Sequence, residues 1–594
     1  MGWEIVREKH PDVRGKWSRL WLFKDVHHVL TDNTGTDKVK GIMLNKPKER
    51  VIRLNGKSFS SMSNLMLLKL SNVDVSEGQI YLPNNLRFLK WHGFPLKTLP
   101  SNFPTRNLFE LNLCGSQLNY LWKGMKDFPK LKTVKLSNSH NLIETPDFTM
   151  VPNLEMLDVK GCTKLRKVHK SVEVLKSLSV LNLEGCKNLQ SFQVFFVMKS
   201  LKILNLRGCS KLDKFPENLE ELELLEELDV GGTAISQVPS SIARLTNLQK
   251  LSFQKCNSQP WWSSYLLRTN TRCLALPSLT ELPSNILCVW ADGCHSLEDV
   301  SLRGCTSPEI ALYLFNCPKL IQNRGHQEIN LAVMLLKHYI QGVMMAVEKQ
   351  QLWWNLFEIY IPGNEIPEWF SCRSDEDSVK IGLPSNWLND EFMGIAMCGV
   401  FTPDHKDLDG RKYVICCMDI MGNRYLYSGG RHRFTTFESN HLWLNYVPRE
   451  AFETTRSQTL ESARLLPRLE PWEYDSTNSV LVSTSTCIHA YFEVTDGKRL
   501  STKAVKSSGI RLVYKGDIEC SEDDILLSTD ASILYQHNNC STFAGQISVT
   551  HVWYYKPHMI EYEIRRLEYG SKSRYNDDYR RFLYKLRRSW DQMR

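Results

Sequence analysis

The sequence lacks the short motifs by which many enzymes can be recognised. It contains no H-E-x-x-H, no C-x-x-C and no G-x-S-x-G, the last being the turn that exposes a nucleophilic serine. The nearest approach to a phosphate-binding loop is Gly56-Lys57-Ser58, but Val51 stands where the first glycine is required. We therefore expect no enzymatic activity, no catalytic residue and no cofactor.

A long, uninterrupted apolar run is also missing. The most apolar stretch, residues 329–347, contains Lys337, His338 and Gln341, which favours an amphipathic or core-facing helix over a membrane span. Residues 1–16 carry charges throughout, so we expect no secretory signal. The 17 cysteines are an odd number dispersed through a large chain, and we expect them to be free thiols in a reducing compartment.

Neither charge nor ligand spacing indicates a nucleic acid or a metal. Lys and Arg number 74 against 65 Asp and Glu, an excess too thin to imply a nucleic-acid partner by itself. Zinc ligands usually come in C-x2-C pairs, and none occurs. We interpret His27 and His28 as a surface-and-core pair, and expect that one of Cys416 and Cys417 is a core residue. No metal is expected.

What the chain has in abundance is a leucine repeat. The pattern L-x-x-L-x-L-x-x-C/N recurs at steps of 21 to 24 residues, a period typical of leucine-rich repeats. Each unit supplies one short strand and cannot bury its apolar side alone, so neighbouring units must stack. The repeats begin at Leu65, Leu86, Leu108, Leu131, Leu154, Leu178, Leu201, Leu225 and Leu248.

Within each repeat, the two-residue alternation of a strand separates core from surface. In "LEMLDVKGC" it directs Leu157 and Val159 inward, and Asp158 and Lys160 outward. Cysteines recur at the turn after the strand, where adjacent repeats place them in one column. We interpret them as packing residues, rather than as metal ligands or reactive thiols, at Cys162, Cys186, Cys209 and Cys256.

The outward positions form two columns of mixed charge and small polar residues. This mixture suits a protein partner better than phosphate groups, which would favour a run of Lys and Arg. The alternative is a solvated face without a partner. We predict a partner-binding surface that contains Lys90, His92, Lys135, Asp158, Lys160, Asn182, Glu184, Asn205, Arg207 and Asp229.

Three parts of the sequence resemble one family. The opening segment matches M-G-x-E-I-V-R, P-x-x-x-G-K-x-S-R-L-W and T-x-N-T-G-T, and the repeats read "LxxLxLxGCxxL". "FEIYIPGNEIPEWFSC" from Phe357 and "VKSSGIRLVYKGD" from Val505 complete the set. Together they resemble the carboxyl-terminal part of plant intracellular immune receptors of the TIR, nucleotide-binding, leucine-rich-repeat (TNL disease-resistance) class.

The resemblance implies an α/β leucine-rich-repeat solenoid, a horseshoe, followed by an all-β jelly-roll or Ig-like sandwich. The family's TIR NAD-hydrolase and nucleotide-binding domains precede the matching segments and are absent here, so neither activity is carried over to any residue. The implied parts are a remnant of the nucleotide-binding module and linker (1–45), repeats (46–325), a linker helix (326–355), a C-JID-like β-sandwich (356–520), and the end of the sandwich with a basic tail (521–594).

The implied function is that of an innate immune receptor. Its repeats and post-repeat domain would recognise a pathogen effector or a host protein, and a full-length receptor is a second candidate partner. No small-molecule substrate is implied. The implied location is cytoplasmic or nuclear, without a transmembrane segment.

The post-repeat region indicates a sandwich on its own pattern as well. Short β-rich runs such as "EIYIPG" and "GIAMCGVF" are separated by Gly, Pro, Asn or Asp. Trp369, Phe370 and Trp387 could form a ligand cage, but we interpret them as core or edge-covering aromatics of the sandwich.

The tail offers an alternative function. In residues 571–594, basic residues interleave with Tyr584 and Trp590, a combination found in nucleic-acid binding. The basic residues concerned are Arg580, Arg581, Lys585, Arg587 and Arg588. Asp577, Asp578 and Asp591 dilute the charge, so an amphipathic helix at a membrane surface, or a solvated one, is an equal alternative. Nucleic-acid binding is not our main hypothesis.

The first residues are expected to be poorly packed. In the family, this segment contacts the nucleotide-binding module, so its apolar side chains would lose their usual neighbours here. We expect residues 1–45 to be loosely ordered or to drive self-association. The side chains concerned are Trp3, Ile5, Val6, Leu20, Trp21, Val26 and Val29.

Overall fold

The computed structural model describes the chain from Val13 to Ile518, with gaps. The chain divides into two compact units, Met1–Glu519 and Cys520–Arg594, and the described residues belong to the first. They are 13–44, 52–71, 73–75, 80–191, 198–215, 218–253, 276–307, 309–322, 331–346, 356–403, 413–420, 423–428, 439–449, 487–495, 500–501 and 504–518.

Each predicted repeat that the structure describes supplies one short strand. Successive strands pair in parallel without a shift, so that Leu157 lies opposite Leu181, and Leu181 opposite Leu204. The predicted leucine-rich-repeat solenoid is confirmed. Its strands are β1 Arg19–Leu20, β2 Gly41–Leu44, β3 Ile52–Leu54, β4 Leu67–Ser71, β5 Val73–Val75, β6 Phe88–His92, β7 Glu110–Asn112, β8 Thr133–Lys135, β9 Met156–Asp158, β10 Val180–Asn182, β11 Ile203–Asn205, β12 Glu227–Asp229, β13 Lys250–Ser252, β14 Ser278–Leu279, β15 Cys288–Trp290, β16 Asp299–Val300 and β17 Glu309–Tyr313.

One parallel sheet joins most of these strands. Its order is β1–β2–β4–β6–β7–β8–β9–β10–β11–β12–β13–β15–β17. Two short pairs, β3 with β5 and β14 with β16, lie outside it. The chain between strands includes 3-10 turns at Lys170–Val174, Leu219–Glu221 and Ser240–Arg244.

The inward leucines form a continuous core along the stack. Leu157 and Val159 are fully buried, as are their counterparts in the neighbouring repeats. Each such side chain contributes roughly 1.5–3 kcal/mol through burial. Asparagines between strands add a second link, because the Nδ2 groups of Asn153 and Asn247 each donate to a backbone oxygen of the preceding repeat at 2.7 Å.

The glycine-cysteine turn has a definite physical basis. Gly161 and Gly185 adopt left-handed φ angles of +70° and +72°, and a Cβ on Gly161 would lie 2.4 Å from the side-chain oxygen of Asn138. The thiol that follows points inward and donates to a carbonyl of the preceding repeat, at 3.3 Å from Cys162 to Leu136.

The cysteine column consists of packing residues, as predicted. The thiols of Cys186 and Cys209 donate to carbonyl oxygens of the preceding repeat at 3.3 and 3.2 Å. Burial raises the pKa of Cys162 to about 12, so its reactive thiolate form is scarce at neutral pH. Ser139 occupies the same position one repeat earlier and donates to the Leu113 carbonyl at 3.3 Å. Cys256 lies outside the described residues.

The expectation of a loosely packed beginning is wrong for residues 13–44. Helix α1, Phe23–Thr31, buries Val26 and Val29 completely, and Leu20 is 1% exposed. β2 pairs with β4 over four residues, so this segment extends the repeat sheet by two strands and shares its core. Trp21 is half-buried, and Trp3, Ile5 and Val6 lie outside the described residues.

Two helices and ten strands follow the repeats in the described part. The helix predicted within residues 329–347 is present as α3 and is core-facing, with Leu335 and Leu336 fully buried. The elements are α2 Lys319–Gln322, α3 Leu331–Ala346, β18 Leu356–Pro362, β19 Cys372–Ser374, β20 Ser378–Gly382, β21 Phe392–Phe401, β22 Tyr413–Ile420, β23 Asn423–Ser428, β24 His441–Pro448, β25 Cys487–Thr495, β26 Leu500–Ser501 and β27 Val505–Tyr514.

The repeat sheet continues into these strands without a break. β17 pairs in parallel with β18, after which the order β18–β24–β21–β27–β19 is antiparallel. A second antiparallel sheet, β20–β25–β22–β23 with β26 beside β25, packs on one face of this extension. Trp443 of the first sheet meets Phe492 of the second edge to face, with ring centroids 6.0 Å apart.

The aromatic residues singled out in this region are packed, as we predicted. Phe370 is 1% and Trp387 is 7% exposed. The half-buried Trp369 ring is covered by the Arg511 guanidinium, 4.8 Å from the ring centre. Cys416 is fully buried between the two sheets, which makes it the expected core cysteine of its pair.

A neutral histidine in the post-repeat strands bonds to the segment that follows β17, the last repeat strand. The Nε2 atom of His441, in β24, accepts the backbone N–H of Asn316 at 2.9 Å, while Nδ1 lies 2.8 Å from the Ser439 carbonyl oxygen. The ring also lies 5.6 Å from Phe315. Burial lowers the pKa of His441 from 6.5 to about 4.

Replacement of Cys209 by Asp should destabilise the solenoid by about 2 kcal/mol or more, because the new carboxylate would be buried without a cation. The matched control is Cys209→Ser, which keeps a donor for the Leu183 carbonyl, as Ser139 does in its own repeat. Urea unfolding followed by circular dichroism measures both. Equal stability of the Asp and Ser variants would contradict the packing assignment.

Acidification should weaken the junction at His441. Because its pKa is lowered in the folded state, the unfolded chain binds more protons between pH 6.5 and about 4, so stability falls as the pH falls through this window. The loss should approach roughly 3 kcal/mol. Comparing melting curves of the wild type and His441→Gln across the window tests this, since the Gln variant should lose the pH-dependent part. A pH dependence that persists unchanged in the variant would exclude His441 as its source.

Candidate functional site

The candidate site is the outer sheet face, by which we mean the face of the repeat sheet that points away from the core. Solenoids present such a face as an extended binding surface. Parallel pairing without register shifts brings the outward residues of successive strands side by side, about 4.8 Å apart. Thus Lys135, Asp158, Asn182 and Asn205 lie in one column, each directly opposite the next.

The Asn and Asp residues of this column have a structural role. Oδ1 of Asp158, Asn182, Asn205 and Asp229 each accepts the backbone N–H two residues further on, at 2.9 to 3.1 Å. These bonds satisfy backbone donors at the point where each strand ends. The second polar atom of three of these side chains contacts a neighbouring side chain: Asp158 Oδ2 accepts from Ser137 at 2.8 Å, Asn205 Nδ2 donates to Glu184 at 3.5 Å, and Asp229 Oδ2 accepts from Arg207 at 3.3 Å.

Charged residues in the middle of the outer sheet face neutralise one another. Lys160 pairs with Glu184 at 2.8 Å, and the buried Arg207 pairs with Asp229 at 3.3 Å. Burial raises the pKa of Asp229, and the Arg207 guanidinium partly opposes that rise. This part of the surface therefore carries both positive and negative charges, which pair with one another.

All ten predicted partner-binding residues lie on or at the end of this face, but their accessibility differs. Lys90 and His92 are exposed, and Lys135 is half-buried. Glu184 and Arg207 are 5% exposed and are engaged in ion pairs, so they offer less surface than the pattern predicted. The half-buried members are Asp158, Lys160, Asn182, Asn205 and Asp229. Their role in binding stays a prediction.

A further outward column escaped the sequence interpretation. It consists of the first residue of each strand and contains two apolar groups, Leu67 with Phe88, and Met156 with Val180 and Ile203. Glu110 and Thr133 lie between these groups, and Glu227 and Lys250 follow them. Phe88 is 44% exposed and Leu67 is 37% exposed. The same two-residue alternation, extended backward by one step, would have identified this column.

The outer sheet face ends against the post-repeat strands. Trp290, Tyr313 and Tyr360 continue the Asn/Asp column, and their rings stack at 5.9 and 5.6 Å. Tyr313 and Tyr360 are each 1% exposed, because the second antiparallel sheet covers them. Trp290, at the border, is half-buried.

Neither a metal centre nor a membrane span is found in the described part of the chain. No group of three or more His, Cys, Asp and Glu side chains there could hold a metal ion. His27 and His28 are both exposed, and His28 pairs with Asp32 at 2.6 Å, which corrects the interpretation of one as a core residue. No described helix is long and apolar enough to cross a bilayer. The basic tail, 571–594, lies outside the described residues.

Two regions of the chain match known families. Residues 162–284 match the model of a leucine-rich repeat region, and residues 361–519 match that of the C-JID domain. Neither is a catalytic domain. The chain therefore contains a leucine-rich repeat region and a segment that matches the C-JID domain.

The curated relatives are plant disease-resistance proteins. Disease resistance-like protein DSC1 of Arabidopsis thaliana is 27% identical, with 87% of this chain and 53% of that protein aligned. Disease resistance protein RPS6 of the same plant is 33% identical over 72% of this chain and 46% of its own length. Disease resistance protein RUN1 of Vitis rotundifolia is 37% identical over 30% of this chain and 15% of its own length.

The resemblance to the TIR, nucleotide-binding, leucine-rich-repeat disease-resistance proteins is confirmed, and the chain corresponds to their repeat and C-JID part. It spans about half or less of the length of the curated relatives it matches.

Solved structures align only loosely with this chain. The crystal structure of a TDR receptor is 18% identical, with 52% of this chain and 61% of that chain covered at a TM-score of 0.31. Leucine-rich-repeat protein LIC12759 of Leptospira interrogans is 19% identical, with 48% and 83% covered at a TM-score of 0.27. The fold description rests on the strand pairing, and these superpositions add no argument to it.

Replacement of Lys160 by Ala should lower stability by about 1–3 kcal/mol, because it removes a cation from the nearly buried Glu184 carboxylate. The matched control is Lys135→Ala in the preceding repeat. Lys135 has no role in the ion pairs described, so its loss should cost less than about 0.5 kcal/mol. Thermal and urea unfolding measure both variants, and equal losses would show that the Lys160–Glu184 pair does not stabilise this face.

Proposed function

We propose that this chain is the protein-recognition part of an innate immune receptor, and that it binds a pathogen effector or a host protein through the outer sheet face and the post-repeat strands. One observation carries the proposal: the outer sheet face runs without interruption from the exposed Lys90 to the covered Tyr360, so repeats and post-repeat strands border one surface. The disease-resistance names of the relatives support the immune context.

The chemistry of the surface favours a protein partner. Asn, Asp, Lys and Arg alternate with Met, Val and Ile, a mixture that supports hydrogen bonds around an apolar centre. A polyanion would require cations along its whole path, whereas Asp229 interrupts one outward column and Glu184 the other.

We further propose that the two antiparallel sheets after the repeats form a jelly-roll or Ig-like sandwich, and that the domains run as the resemblance implies. Their shared core, which includes Ile395, Trp443 and Phe492, supports a sandwich. In this proposal the chain is no enzyme, needs no cofactor and works in the cytoplasm or nucleus. A full-length receptor remains a candidate second partner.

Site-specific photo-crosslinking tests the recognition surface. A photoreactive amino acid replaces Lys90, Met156 or Ile203 on the outer sheet face, and the full chain is expressed in leaves exposed to a pathogen. The expected result is one protein adduct, identified by mass spectrometry, from outer-face positions. Matched controls place the same group at the exposed Lys164, Lys187 or Lys211, on the loops that follow the strands. Adducts that form equally, or only, at the loop positions would refute the proposed surface.

A further inference from the structure

Charge is distributed unevenly along the outer sheet face. From β9 to β13 the cations are paired: Lys160 with Glu184 at 2.8 Å, Arg207 with Asp229 at 3.3 Å and Lys250 with Glu227 at 3.0 Å. This half of the surface is electrostatically compensated within the chain itself.

Outward lysines outnumber outward carboxylates on β4, β6, β7 and β8. Lys69, Lys90 and Lys135 occupy one register column on β4, β6 and β8, with only Asn112 between the last two. Strand spacing places the three lysines within about 15 Å of one another. Lys90 and Lys135 take part in none of the ion pairs above, and Glu110 is the one outward carboxylate on the described strands β4, β6, β7 and β8.

Exposed apolar surface lies beside these lysines. Leu67 and Phe88 are opposite each other on β4 and β6, two residues before Lys69 and Lys90, and they are 37% and 44% exposed. Phe109 braces Phe88, with ring centroids 6.2 Å apart and an interplanar angle of 22°. Together, Leu67, Lys69, Phe88, Lys90, Phe109 and Lys135 define the amino-terminal patch.

We propose that the amino-terminal patch anchors an acidic protein segment, and that an aromatic or aliphatic side chain of that segment packs on Phe88 and Leu67. This inference rests on the proposed function and specifies the chemistry of the partner. The lysine column attracts and orients the carboxylates, while the exposed phenylalanine supplies the apolar contact typical of binding hot spots.

A nucleic acid fits the same patch less well. Its backbone would need cations along a continuous path, but the column passes from Lys135 directly to Asp158. One face of the Phe88 ring is taken by Phe109, which limits base stacking. An acidic peptide needs only a few lysines next to one apolar contact.

Fluorescence anisotropy with defined probes tests the inference on the full chain. The first probe is a short peptide with acidic residues on both sides of a central phenylalanine. The second has alanine at the centre, the third has lysines in place of the acids, and the fourth is a labelled single-stranded oligonucleotide. The first peptide should bind most tightly, and its affinity should fall as salt is added.

One double variant and one single variant assign that binding to the patch, and a second double variant is the control. Lys90→Gln with Lys135→Gln removes the charge and keeps side-chain length, and Phe88→Ser removes the apolar contact. Each change should weaken the binding of the first peptide by about tenfold or more. The matched control, Lys164→Gln with Lys187→Gln, removes the same charge from loop positions and should leave affinity unchanged. Unfolding curves confirm that each variant is folded.

Three outcomes would overturn the inference. They are no binding of the acidic phenylalanine peptide, equal loss in the loop control, or tighter binding of the oligonucleotide. The crosslinking experiment separates this failure from failure of the proposed function. Adducts at Met156 and Ile203 without any at Lys90 would retain the outer sheet face as the recognition surface and reject the amino-terminal patch as its anchor.

Discussion

Backbone pairing between equivalent residues of successive repeats is the constraint on which the rest of this structure depends. One repeat has too few leucines to make a core, so each must bury its inward side against its neighbours. Pairing without a register shift then requires every repeat to leave its strand in the same way. This explains why a residue with positive φ, a glycine or Asn138, recurs together with an inward donor, cysteine or serine: the turn is tight, and a buried carbonyl of the preceding repeat needs a partner.

The same register builds the candidate site. Outward residues cannot be chosen independently, because each lies beside its counterparts in two neighbouring repeats. Asp158, Asn182 and Asn205 cap their own strands, and the ion pairs around Glu184 and Asp229 stabilise the middle of the face. The outward residues can therefore vary most freely where they neither cap a strand nor form an ion pair. Phe88, Lys90 and Lys135 are such positions.

Periodicity predicted the repeats, their strand register and the burial of the cysteine column, since these depend on local alternation and a fixed spacing. It also placed Lys90 and Lys135 on the outer face. It could not show which charges are paired, because the Lys160–Glu184 contact joins different repeats and depends on side-chain reach. The packing of α1 against β2 was missed because α1 lies before the first recognised repeat. The covering of Tyr360 by a second sheet comes from residues far away in sequence.

The unbroken pairing from β2 to β18 has a consequence for how such genes can change. Because each repeat adds one strand in the same register, duplication or deletion of a whole repeat inserts or removes one rung of about 4.8 Å. The glycine turn, the inward donor and the asparagine link would all be regenerated at the new joint. In-frame recombination between repeats could therefore alter the span between Phe88 and the covered Tyr360 in discrete steps, while both ends of the surface keep their structure.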